Sequence, residues 1–192
     1  MGLVLVTDPA EEPVSLAEAK SHLRVEVSDD DSYITSLIQV AREMAENILR
    51  RALITQTWKL VLDEFPSGDE IELPLPPLQS VSSVKYTPNG SSQQTFDAGN
   101  YIVDTASEPG RIVLKSDKSW PGDTLEAAAG VEVTFVCGYG DAGADVPLSI
   151  RQAMLLLIGH FYESREAVII GTITRELPLG AKRLLWPYRV FG

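Results

Sequence analysis

His160 and Glu163 stand three residues apart in a run with helical spacing, a pattern that could begin a metal site. Carboxylate-rich centres in helix bundles use that i, i+3 step, but they need several more inward Glu or His ligands on facing helices. His22 is the only other histidine, and Glu43 and Glu46 fall on the polar side of another helical stretch. The ligand count falls short of a closed or a catalytic site. His160 therefore reads as a hydrogen-bonded packing residue.

The other chemistry-bearing clusters reduce to structure in the same way. Asp29, Asp30 and Asp31 lack the glycine and the twelfth-position glutamate of a calcium loop, and they suit the positive end of a helix dipole. Gly138-Tyr139-Gly140 lacks the Gly-Lys-Ser/Thr that holds a triphosphate. No serine sits in a G-x-S-x-G elbow. The single cysteine, Cys137, excludes an internal disulfide, suits a reducing compartment of synthesis, and lies in an apolar run as a small packed hydrophobe. The expectation is a protein without catalytic residues, metal or cofactor.

Composition narrows the class further. An apolar share of 44% and a charged share of 22% are those of a folded globular chain. The longest apolar run, Ala153–Ile158, is far below the roughly 20 residues of a membrane span, and the N-terminus lacks the basic start and cleavage site of a signal peptide. A net charge of −11 argues against a general nucleic-acid binder. The charge is unevenly placed. From Ala167 onward Arg175, Lys182, Arg183 and Arg189 face one acid, Glu176, so +3 sits on the tail and −14 on the first 166 residues.

The elements that must position these residues follow from periodicity. A first segment is extended and ends at Pro13. Ser15 with Glu18 three residues on forms a capping box for a short helix bearing Leu16, Ala19 and Leu23. After the three aspartates, Ile34, Leu37, Ile38, Ala41, Ala45, Ile48 and Ala52 recur at helical steps, predicting a helix to about Leu53. From Thr57 the period becomes two, with Trp58, Leu60 and Leu62 on one side of a strand. The proline-rich IELPLPPL suits a sheet edge or a connection. Pro88-Asn89-Gly90 marks a turn, and short strands are predicted around Gln94–Phe96, Tyr101–Val103, Ile112–Leu114 and Val131–Cys137.

Asp145–Glu166 is the strongest helical stretch. Asp145 can cap it and Pro147 suits its first turn. Ile150, Ala153, Met154, Leu157, Ile158 and Phe161 share one face, while Leu155, Leu156 and Tyr162 add apolar surface opposite. A helix apolar nearly all round must be covered on more than one side, by other helices or by other subunits. Beyond it, Pro178, Gly180 and Pro187 interrupt any long helix, yet Leu184, Leu185, Trp186, Tyr188, Val190 and Phe191 crowd together with arginines. That composition reads as interface, with folding back onto the chain's own core as the alternative.

These elements predict an α+β fold: a small helical bundle, an inserted β-rich lobe and an extended C-terminal arm. The expected parts are bundle helices in residues 1–55, the β lobe in 56–140, the central bundle helix in 141–170 and the arm in 171–192.

Five pieces in order, PVSLAEAKSHLRV (Pro13–Val25), DDDSYITSLIQVAREMAENILRRAL (Asp29–Leu53), PLQSVSSVKY (Pro77–Tyr86), GYGDAGADVPLSIRQAMLLLIGHFYESRE (Gly138–Glu166) and LLWPYRV (Leu184–Val190), resemble tailed-phage head–tail connector (adaptor) proteins. That family includes adaptors of gene transfer agents. The resemblance implies a structural subunit of a ring, typically dodecameric, beneath the portal of a virion or phage-like particle. Such a ring extends the DNA channel without binding DNA specifically and offers a platform for stopper or tail-completion proteins. Assembly would occur in the host cytoplasm, with no membrane involved. It further implies that Lys182, Arg183, Leu185, Trp186, Tyr188 and Arg189 form a portal-binding arm. Arg42, Glu46, Arg151 and Arg165 are the expected polar partners in a lateral subunit interface. A stopper or tail-completion protein of the same neck is the alternative, and a generic cytosolic interaction module is a third reading.

Overall fold

The structure, a computed structural model, describes residues 1–164 and 178–190. It divides into two compact units, one built from Met1–Ala10 with Thr55–Gly138 and the other from Glu11–Ile54 with Tyr139–Gly192.

The first unit is all β. Strand β1 (Gly2–Thr7) pairs antiparallel with β2 (Gln56–Leu62). The extended start of the chain thus belongs to the sheet and not to the helices. Strands β3 (Glu70–Leu73), β4 (Leu78–Tyr86), β5 (Gln94–Phe96), β6 (Tyr101–Asp104), β7 (Gly110–Leu114) and β8 (Val131–Cys137) follow. They form a five-stranded sheet in the order β1-β2-β8-β4-β5 and a three-stranded sheet in the order β3-β7-β6. Alternation decides the buried face. Leu60, Val133 and Val84 lie side by side across the register of β2, β8 and β4, and all three are buried. Strand β3 is an edge and stops at Pro74, where a missing N–H would break a ladder. Phe65, Phe96 and Trp120 stack beside the strands, with Phe65 and Trp120 parallel at 5.0 Å.

The second unit is helical. Helix α1 (Leu16–Leu23) carries the expected capping box: the Ser15 N–H donates to the Glu18 carboxylate at 2.9 Å, and the Glu18 N–H donates back to the Ser15 hydroxyl at 3.3 Å. Helix α2 (Asp31–Leu49) buries Ile34, Leu37, Ile38, Ala41, Ala45 and Leu49. It stops four residues before the predicted Leu53, where Arg50 takes a left-handed conformation with φ 57°. Leu53 and Ile54 remain buried, so the apolar pattern outlasts the helix: it records core burial, not helical conformation.

Helix α3 (Leu148–Glu163) begins after Pro147, three residues later than the predicted cap. Asp145 caps a different feature. It sits in a 3-10 turn (Gly143–Asp145), and its carboxylate accepts from the Ala142 N–H at 3.0 Å. Gly140 is required there, because a Cβ on it would lie 2.3 Å from the Asp145 carboxylate. Residues Leu179–Leu185 form α4, followed by a 3-10 turn (Trp186–Tyr188). The α+β class holds, and the described part of the expected arm is helical and packed on its unit instead of extended. One core joins the buried faces of α2 and α3 with Ala181 and Leu185 of α4. Among the described residues no helix is long and apolar enough to cross a membrane.

Candidate partner-binding surfaces

The C-terminal segment is anchored by groups that sequence reasoning overlooked. Arg51, a charged residue buried inside the apolar run from Leu49 to Ile54, donates from Nε to the Tyr188 carbonyl. The Val190 N–H donates to the Leu49 carbonyl at 3.0 Å. Its neighbour Arg50 is exposed, so nothing local marks Arg51; a buried charge of this kind is retained only where it is partnered.

This anchoring sorts the six residues expected of a portal-binding arm. Leu185 is 1% exposed and belongs to the core, so its side chain holds α4 in place. Lys182 and Arg183 are exposed, and Trp186 is 60% exposed with the Arg189 guanidinium 5.9 Å from its ring centroid. Tyr188 and Arg189 are half-buried. One outward face of α4 thus gathers Leu179, Lys182, Arg183 and Trp186 at three- and four-residue steps.

The residues expected at a lateral interface are engaged inside the chain. Arg42 Nε donates to Glu12 at 2.9 Å and its NH1 to Glu46 at 3.0 Å. Burial opposes the charge on Arg42, but Glu46 and Glu12 outweigh it and raise the guanidinium's pKa further. Glu46 also accepts from the Leu53 N–H at 2.9 Å, fastening the turn after α2. Arg151 reaches back from α3, with Nε on the Pro13 carbonyl at 2.9 Å and a second nitrogen on Glu18. The Ser15 N–H and hydroxyl, and after them Arg151, hold the Glu18 carboxyl below its ordinary pKa against the opposing effect of burial. Arg165 lies outside the described residues.

Helix α2 presents a second surface. Val40, Glu43, Met44, Asn47 and Ile48 line an open groove of about 440 Å³, and all five come from α2. Val40 is 46% exposed at its centre. The periodicity of α2 places this groove on the flank away from Ala41 and Ala45. His160 lies beside Phe161 with ring centroids 5.8 Å apart. Among the described residues no three His, Cys, Asp or Glu side chains converge as metal ligands.

Residues 13–95 match the model of the phage gp6-like head-tail connector protein family. A solved chain from the neck of an empty GTA particle, computed with C6 symmetry, is 25% identical, with a TM-score of 0.81 over 100% of this chain and 97% of that one. A chain from the virion of a native gene transfer agent (GTA) particle is 22% identical with a TM-score of 0.83, and one from the neck of a native GTA particle computed with C12 symmetry is 24% identical with 0.81. Both again cover 100% of this chain and 97% of the other, and they speak for the fold alone. No curated protein matches. The resemblance read from the sequence is borne out: residues 13–95 match the phage gp6-like head-tail connector model, and the whole chain is similar to a chain of a GTA particle neck.

Proposed function

We propose that the protein is a structural subunit of the neck of a phage-like particle, the adaptor between head and tail. The observation that carries this reading is likeness along the whole chain to a GTA neck protein, together with the connector match over residues 13–95. Copies assemble as a ring, twelve in number, a reading compatible with necks computed with C6 and with C12 symmetry. The ring lies beneath the portal and continues the DNA channel. Its acidic body, −14 over the first 166 residues, repels passing DNA instead of holding it. The far side of the ring receives a stopper or tail-completion protein.

The C-terminal segment that carries Lys182, Arg183, Trp186, Tyr188 and Arg189 is the portal-docking arm, with Leu185 as its anchor in the core. Support comes from its basic charge, opposite in sign to the rest of the chain, and from the exposed tryptophan, a residue type enriched at interface centres. The test is a chain lacking Leu184–Gly192, mixed with portal-containing heads after its fold has been checked by circular dichroism. Loss of docking by the folded deletion supports the arm. Docking at wild-type levels refutes it, and attachment only to heads that already carry another neck protein assigns the chain to the stopper class.

A further inference from the structure

The outward face of α4 and the groove on α2 are complementary to each other. One offers Trp186 and Leu179, 60% and 67% exposed, flanked by Lys182 and Arg183. The other offers an apolar floor of Val40, Met44 and Ile48 with Glu43 exposed at its edge. Among the described residues, none of α4 lines that groove. The complementarity extends beyond the contact, because a +3 tail meets a −14 body.

We infer that the outer face of α4 seats in the α2 groove of a second copy of this chain, with Trp186 on Val40 and Met44 and Arg183 beside Glu43. The two patches are different surfaces of one unit. Different patches can pair reciprocally about a two-fold axis or head-to-tail; the ring reading selects the head-to-tail form, which leaves one patch of each kind free at the ends of any dimer and closes as a ring. A reciprocal two-fold contact would use both patches of each copy at once and end at a dimer. The inference rests on the ring reading and takes Lys182, Arg183 and Trp186 out of the portal-docking set, which leaves Tyr188, Arg189 and the end of the chain for the portal.

Because the contact is head-to-tail, two damaged chains can expose it. Val40→Asp spoils the groove and leaves the α4 face intact, while Trp186→Asp does the reverse. Both positions are exposed, so both variants are expected to melt like wild type. In sedimentation velocity at low ionic strength, the full wild-type chain should form species beyond the dimer as concentration rises, and added salt should reverse them. Each variant alone should associate roughly tenfold more weakly or worse. Mixed together they should form a one-to-one heterodimer and nothing larger, since a single working pair of patches remains. A swapped chain carrying both Glu43→Lys and Arg183→Glu should regain association that either change alone removes.

A wild-type chain that stays monomeric up to its solubility limit overturns the inference. So do variants that associate like wild type, or a mixture without heterodimer. Docking of the same variants on portal-containing heads is read separately, so failure of this contact is distinguishable from failure of the adaptor reading.

Discussion

Arg42 and Glu12 meet at 2.9 Å across thirty residues of sequence, and the same guanidinium holds Glu46 one turn along α2 at 3.0 Å. The segment before α1 is thereby tied to the middle of α2. Removing the arginine leaves two carboxylates in a half-buried setting without their shared cation. Arg42→Met, which keeps most of the packing, should destabilise the helical unit by about 1–3 kcal/mol in urea unfolding. Arg42→Lys should recover only part of this, because an ammonium cannot serve both acids with a planar fork. An unchanged urea midpoint for Arg42→Met would show the bridge to be energetically idle.

Periodicity identifies which face of α2 and α3 is apolar, and Ser15 with Glu18 marks the start of α1 to the residue. Strand limits at Gln94–Phe96 and Val131–Cys137 were equally legible, since alternation there is bounded by turn residues. What periodicity does not encode is where burial outlasts a helix, as at Leu53 and Ile54, or whether a proline-flanked terminal run folds back. The Arg42–Glu46 pair follows from its i, i+4 spacing, whereas nothing local pairs Arg42 with Glu12 or Arg151 with Pro13 and Glu18. Those contacts span thirty to more than a hundred residues, and only the fold brings them together.

Acid should weaken the β unit through Asp104. The Ser107 hydroxyl first, then Arg111 and the Ala106 N–H, hold its carboxyl down to about 2. A carboxylate depressed in the folded state adds stability above the unfolded pKa of about 3.9, and that contribution is lost as pH falls toward the folded value. Urea midpoints of wild type and Asp104→Asn should therefore differ at neutral pH and converge between about pH 4 and pH 2. The depressed Glu18 carboxyl acts in the same direction within the helical unit. A difference between the two proteins that stays constant over this range would exclude the Asp104 network as the cause.

Gly110 opens β7 directly against Leu78, and an added Cβ would sit 2.4 Å from the Leu78 Cβ. That atom is fixed to the backbone of β4 and cannot swing aside. Gly110→Ala should cost about 1–3 kcal/mol by overpacking. Gly122→Ala, where no atom lies within 4 Å, is the matched control and should melt with wild type. If both substitutions are tolerated equally, the close approach of β7 and β4 is not rigid in solution.

Leu185 and Trp186 are adjacent in sequence and opposite in role. Leu185 is enclosed with Ala181 in the core shared by α2 and α3, whereas most of the Trp186 ring faces outward. Leu185→Ala removes buried volume and should lower stability by about 2–5 kcal/mol. Trp186→Ala should change it by less than about 1 kcal/mol, as exposed substitutions do. Assembly should reverse the order. At a temperature where Leu185→Ala remains folded, it should still associate and join heads, because it alters no outward group. Trp186→Ala should remain as stable as wild type and fail in association. The discriminating measurement is a thermal melt paired with sedimentation velocity on both variants. Should Trp186→Ala prove unstable and Leu185→Ala fail to associate while folded, the division between anchor and contact would be the wrong way round.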